Sequence, residues 1–288
     1  MSPMMRAATC LRGPVLASIL VLALATGCAR ADEVKTERRS VELEGAESVR
    51  TDLSMSTGDI LVEGGAENLM DATFTYNVPQ WKPEVSYSGL ALQKELMVEQ
   101  PDVPGPTFGN VQNDWEVLLN DDVPMNLSVS DSSGDGNLDL ESLSLKNLFL
   151  EFSSGDVAAE LGGEKPLLEE VTIDSSSGDV GVEMTGDYGS PMGLEVDMSS
   201  GDLDMDLSGE WPQNLEGDIN LSSGTTTLTF PTNVNVYVEA QTSSGDINAS
   251  GMTRDGEAYV NDPYEDSDVS LNLSVRASSG DINLQLAE

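Results

Sequence analysis

Acidic side chains at regular spacing are the residues of this sequence with the clearest chemical potential. Asp135, Asp156, Asp179, Asp202 and Asp246 each follow a Ser-Ser-Gly tripeptide. If the intervening segments stack, these carboxylates form a column at successive corners, where like charges repel unless a cation bridges them. Calcium is the ion that such oxygen donors would take. A second acidic group, Asp262, Glu265, Asp266 and Asp268, is the other candidate calcium site. The competing account has each Asp cap its own turn by accepting local amide N–H groups while it faces water. Thr225 occupies the acidic position after Gly224 and interrupts the column, and the spacing lacks the dense ligand pattern of calcium-binding β-rolls. No cofactor is expected, with calcium as the exception to test.

Catalytic chemistry finds little to work with. The chain contains no His, which removes Ser-His-Asp and Cys-His nucleophile systems and most zinc sites. Its 51 carboxylates are spread so evenly that no pair suited to glycoside hydrolysis stands out. Beyond residue 40 the cations are Arg50, Lys82, Lys94, Lys146, Lys165, Arg254 and Arg276, none clustered with a repeated acidic group. The expectation is a protein that is not an enzyme. A formal net charge of −38 also repels phosphate backbones, so nucleic acid is excluded as a partner. Trp81, Trp115, Trp211 and Tyr237 could stack on sugar rings, against the plainer reading that they fill the interior.

The elements that must position these residues are repeats. Ser-Ser-Gly or Ser-Thr-Gly recurs with its glycine at Gly58, Gly134, Gly155, Gly178, Gly201, Gly224, Gly245 and Gly280, at intervals of 21, 23, 23, 23, 21 and 35 residues from Gly134 onward. Apolar residues alternate on both sides of the motif, as in Leu148, Leu150, Phe152 before Gly155 and Val157, Ala159, Leu161 after it. Period 2 means strands with one face inward. The inward set is even-numbered before Gly155 and odd-numbered after it, so the Gly-Asp pair inserts one residue and turns a corner. Antiparallel hairpins and a coil both satisfy this pattern. The near-constant period favours an all-β, single-stranded β-solenoid of about 22-residue repeats with Ser-Ser-Gly-Asp corners. Residues 41–130 differ in texture, with one early Ser-Thr-Gly-Asp and a proline-rich stretch at Pro101, Pro104 and Pro106, and read as an N-terminal β cap region. The repeat region is 131–288. The long interval before Gly280 predicts an acidic loop bulging near the C-terminal end.

Arg6 and Arg12 precede an apolar run over 15–25 that ends at Thr26, Gly27 and Cys28. This is the layout of a secretory signal, too short to remain as a membrane-spanning helix of about 20 residues. Ala25-Thr26-Gly27-Cys28 resembles a bacterial lipobox, which implies cleavage after residue 27 and acylation of Cys28. Residues 1–27 are then the lipoprotein signal peptide and 28–40 a polar tether. Cys10 is the only other cysteine and would be removed, so the mature chain could form no internal disulfide. Ala29 carries no Asp retention signal, so by resemblance to Gram-negative sorting the expected location is the outer membrane, reached by export to the cell envelope.

The repeated Ser-Gly-Asp corners, together with Asn113-Asp114-Trp115-Glu116-Val117-Leu118-Leu119 leading to Pro124-Met125-Asn126-Leu127, resemble the toast-rack or adhesin-like domains of unknown function. These are similar to the C-terminal part of LiaF-like cell-wall-active antibiotic response proteins. The resemblance spans about 41–286, implies a solenoid-like fold and an envelope setting, and brings no catalytic residues. The reading is a cell-envelope lipoprotein whose acidic β-repeat is an interaction or structural module, adhesin-like or tied to envelope stress. Its partners are the membrane, through the lipid, and an unknown envelope protein or glycan. A calcium- or glycan-binding adhesin is the alternative, and a polysaccharide-active β-helix enzyme the third.

Overall fold

A computed structural model of the chain describes residues 29–30, 33–90, 92–103, 107–262 and 267–287. The signal segment, Cys28, Pro104, Pro106, Glu265 and Asp266 lie outside the described residues. Those described are all-β apart from one short 3-10 turn at Pro79–Trp81. Two large sheets, of 12 and 11 strands, face each other across one main apolar core, and a small second cluster holds Val78 and Trp81.

The repeats alternate between a long strand on one sheet and a short strand on the other. Met125–Asp131 is followed by Gly136–Asp139, Leu145–Phe152 by Val157–Glu160, Glu170–Ser175 by Val180–Glu183, and Met192–Met198 by Leu203–Asp206. Each strand pairs in parallel with its counterpart one repeat later, as in Leu148 opposite Val171 and Val157 opposite Val180. The result is solenoid-like, with each repeat forming one level of a stack. Inward residues such as Val129, Leu150, Ile173, Val196 and Ile219 form continuous buried columns. Burying each such side chain contributes about 1.5–3 kcal/mol, which makes the core the main source of stability.

The stack does not follow chain order at its ends. Leu215–Ser223 pairs with Ser270–Ser279, not with Asn235–Thr242, so the last repeat in sequence inserts between the two before it. The short strands repeat the exchange, with Ile282–Leu286 between Thr226–Phe230 and Ile247–Ser250. The N-terminal end mirrors this: Ser48–Met55 and Asp59–Glu63 sit inside the level formed by Gln93–Glu99 and Asn113–Leu119. The expected acidic loop is therefore the return from an outer level to an inner one. Within it the hairpin Thr253–Asp255 with Ala258–Val260 covers the edge of Asn235–Thr242.

Antiparallel strands close the other end. Lys35–Val41 pairs with Met70–Tyr76, and Glu84–Leu90 with Gln93–Glu99. The tether read over 28–40 thus gives way from Lys35 to an edge strand, where charged side chains are tolerated because one edge faces water. Trp115 packs edge-on against Phe74, with ring centroids 5.2 Å apart, under this cover.

The corners set the distance between levels. Gly201 has φ of +111°, and a Cβ there would stand 1.9 Å from the carbonyl oxygen of Gly178. The same contact recurs at Gly155, Gly178, Gly224 and Gly280, with the clash between 1.8 and 1.9 Å. Backbone leans directly on backbone, so these positions admit only glycine. By contrast Gly256, φ +63°, has open space around it. Gly201→Ala is expected to destabilise the protein by at least about 3 kcal/mol and Gly256→Ala by about 1 kcal/mol, measured by thermal or urea unfolding.

Candidate functional site

The corner aspartates form the predicted column, with a different hydrogen-bond plan. Asp59 Oδ1 accepts the N–H of Asp135 at 3.1 Å, Asp135 that of Asp156, Asp156 that of Asp179, and Asp179 that of Asp202, the last three at 2.9 Å. Asp202 accepts from Thr225 at 2.7 Å, and Asp281 from Asp246 at 2.8 Å. Each carboxylate caps the corner of the next level rather than its own turn. Thr225 breaks the ladder, as its side chain suggested. In space the order is Asp281 then Asp246, because the last two levels are exchanged.

The ladder ends differently at its two extremities. At the N-terminal end, the corner at Ser56 and Thr57 donates both backbone amides to Oε1 of buried Gln100, at 3.0 and 3.2 Å. Asn113 Nδ2 donates to Gln100 Oε1 and to the carbonyl of Thr57. Side-chain amides thus stand in for the Gly-Asp corner that the outer level, Gln93–Glu99 and Asn113–Leu119, lacks. At the other end Gly245 is exposed, whereas the other corner glycines are partly covered.

One carboxyl turns inward. Asp131 is 2% exposed, between Met55 and Phe152 in its column. Its Oδ1 accepts the N–H of Ser133 at 3.1 Å, and its Oδ2 has no partner among the described residues. Burial pushes its pKa up to about 6, with the charges of Asp59 and Asp135 adding to the rise and the amides of Ser133 and Ser132 opposing it.

The opposite corner of the stack holds a second buried column. Lys165 donates to the carbonyl of Glu141, Tyr188 Oη to that of Leu161 at 2.7 Å, and Trp211 Nε1 to that of Leu207 at 2.8 Å. Tyr188 and Trp211 stack with centroids 4.3 Å apart. Burial lowers the Lys165 pKa to about 8 against the opposing pull of Glu141 and Asp139. Trp81, Trp115 and Trp211 are all buried and offer no sugar platform; Tyr237 is half-buried on the outer sheet face, its hydroxyl donating to Glu239 at 2.9 Å.

Asp262 and Asp268 are exposed beside anchored stems: Asn261 bonds the backbone of Val234 and Val236, and Asn235 Nδ2 donates to the carbonyl of Ser267. Among the described residues no group of three or more His, Cys, Asp or Glu is arranged to hold a metal ion, at the corners or here. The outer face of the short-strand sheet carries a further in-register acidic row, Glu63, Asp139, Glu160, Glu183 and Asp206. The Glu160 carboxyl is raised by burial and then by Asp139 and Glu183.

The long-strand sheet presents one surface that the sequence reading passed over. Phe149 projects outward, half-buried, between Ser128 and Thr172. Its odd position among inward Leu148, Leu150 and Phe152 was the available signal, since alternation assigns it to the solvent face.

Two mostly parallel sheets stacked around glycine corners define a class, and sequence comparison places the chain within it. The N-terminal domain of toast_rack, DUF2154, matches residues 30–183, and the toastrack domain DUF4097 matches 193–285. The chain belongs to the toast-rack family. The boundary between the two matches falls inside a continuous ladder, in which Val171 pairs with Leu194 and Val180 with Leu203. Among solved structures the chain is similar to a candidate cell adhesion protein from Clostridium sporogenes, at 23% identity and a TM-score of 0.51, covering 88% of this chain and 100% of that one. A candidate adhesin from Parabacteroides distasonis is similar at 10% identity and a TM-score of 0.39, covering 90% and 99%. No curated protein sequence matches the chain.

Asp131 yields a prediction with a definite sign. Its pKa is raised on folding, so its ionisation opposes the folded state: its contribution is most favourable below about pH 4 and is lost as pH rises through about 6. Asp131→Asn should therefore gain stability relative to the parent between pH 4 and 6, reaching up to about 3 kcal/mol above pH 7. Urea unfolding across that range measures the difference.

Proposed function

We propose that this chain is an exported lipoprotein of the cell envelope, anchored through Cys28, whose acidic β-stack is an adhesin-like recognition module rather than an enzyme. The observation that carries the reading is the array of outward side chains, held in register over nine two-strand levels among the described residues. A rigid periodic face suits many weak contacts along a polymer or partner surface, which add through multivalency. It gives little support to chemistry, which needs acid, base and electrophile converging in one cleft. The cell adhesion description of the similar Clostridium sporogenes structure agrees with this role.

The charge of the outer faces favours partners that are uncharged or cationic. By resemblance to Gram-negative lipoprotein sorting, Ala29 after Cys28 supports an outer-membrane location, and a tether near residue 30 would hold the stack beside the bilayer. Among the described residues no helix is long and apolar enough to cross a membrane. Calcium-dependent or glycan-directed adhesion is the second form of the same reading; the corner carboxylates already accept the amides of the next level, and the Phe149 surface favours the glycan form.

The test has two arms on the mature protein. Mass spectrometry should find an acylated Cys28 at its N-terminus; an unmodified end elsewhere removes the anchor. Reconstituted in vesicles and titrated onto isolated envelopes, with and without calcium, the protein should be retained saturably and competed off by an excess of itself. Retention that never saturates would contradict a recognition role.

A further inference from the structure

The hollow around Phe149 has the makings of a ligand site, and its parts are set by strand register. Four neighbouring strands of the long-strand sheet present two outward rows. One row is Arg50, Asn126, Asn147 and Glu170; the next, two residues along each strand, is Asp52, Ser128, Phe149 and Thr172. Together they line a hollow of about 330 Å³, the size of one or two sugar rings. Ser128 and Thr172 are short, so the ring of Phe149 is not roofed by its row neighbours.

The polar groups are specific in what they leave unused. Asn147 Nδ2 donates to Asn126 Oδ1 at 2.8 Å, which fixes the two carboxamides relative to each other. Asn126 Nδ2 and Asn147 Oδ1 then carry no partner among the described residues, leaving one donor and one acceptor side by side. A secondary amide is the complement of that pair: its carbonyl takes the Asn126 N–H and its own N–H goes to Asn147 Oδ1. Arg50 is committed to Asp52, at 2.9 Å, and lies 4.0 Å from Glu95. With Glu170 at the other end, the residues lining the hollow supply no spare positive charge, which disfavours an anionic ligand, and Lys146 stands outside the lining. Carboxylates at its rim accept hydroxyl hydrogens.

A second feature marks the same spot. The pairing of Met125–Asp131 with Leu145–Phe152 contains a register shift between Met125 and Asn126, where Met125 faces Leu145 and Asn126 faces Asn147. Lys146 is the extra residue, and the bulge turns both Lys146 and Asn147 away from the core. Bulges are rare in parallel pairs and tend to re-aim side chains beside binding sites.

We infer that this hollow binds an uncharged N-acetylhexosamine unit of a glycan, its acetamido group bridging Asn126 and Asn147 and the apolar face of its ring resting on Phe149. Aromatic faces stack on the C–H side of a pyranose while the hydroxyls remain free for Glu170, Asp52, Ser128 and Thr172. The inference rests on the recognition role proposed above and names one ligand class for it.

The probe is N,N′-diacetylchitobiose, with cellobiose, which lacks the acetamido groups, as comparator. Titration of the full mature chain by calorimetry or ligand-observed NMR should show saturable binding of the first and binding of the second weaker by about ten-fold or more. Phe149→Ser and, separately, Asn126→Ala should each weaken the diacetylchitobiose affinity by about ten-fold, with melting temperature unchanged because both side chains lie outside the core. No binding of diacetylchitobiose by the parent, equal binding of cellobiose, or parent-like binding by Phe149→Ser would each overturn the site. A protein that binds envelopes saturably yet ignores the disaccharide refutes this site alone, whereas loss of saturable envelope binding refutes the broader role.

Discussion

Everything in this protein depends on how closely successive corners approach. Where Gly201 lies over Gly178, the space beyond the Cα is occupied by a carbonyl oxygen, and the contact repeats along the stack. That approach brings the amide of each corner aspartate within reach of the carboxylate one level away. It also fixes the register of the long and short strands on either side, and hence which side chains form the core columns and which form the outer rows. The energetics are balanced at each rung. A hydrogen bond from amide to carboxylate contributes about 1.5 kcal/mol, while neighbouring exposed carboxylates about 5 Å apart repel by about 1 kcal/mol in water. The ladder therefore specifies register more than it adds stability, and the apolar columns hold the levels together.

The exchanged order at both ends has a physical consequence. The final strands of the chain, Ser270–Ser279 and Ile282–Leu286, are hydrogen-bonded on both sides. The edge level, Asn235–Thr242 with Ile247–Ser250, is tied by chain at both of its ends, which resists fraying. Antiparallel cover and polar side chains protect most of the remaining edges, in line with the need to keep open strands from pairing with other molecules. The short strand Ile247–Ser250 is the exception at the C-terminal end of the stack.

Much of this was legible in the sequence because it depends on local rules. Period-2 alternation identified the strands, the phase flip at Gly155 identified the corners, and Thr225 identified the break in the ladder. What escaped was non-local. An interval of 35 residues between Gly245 and Gly280 announces an insertion but not that the chain returns beneath the level it has just built. The aspartate spacing could not distinguish a carboxylate that bonds its own turn from one that bonds the next. Lys35–Val41 has the composition of a tether and became a strand because a partner edge was available. Gln100 carries no repeat signature, yet it completes the first corner. Phe149 was hidden among apolar neighbours, although parity alone puts it on the opposite face.

The central claim is that the corner carboxylates act as acceptors for the next level and not as ligands for a cation. The most direct measurement is the melting temperature of Asp179→Asn and Asp179→Ala in low salt, high salt and calcium. Asn keeps the Oδ1 acceptor and removes the charge, so it should match or exceed the parent in low salt and equal it in high salt. Ala loses the acceptor and should melt about 2–4 °C lower throughout. A parent that gains several degrees from calcium, with Asn as damaging as Ala, would contradict the account.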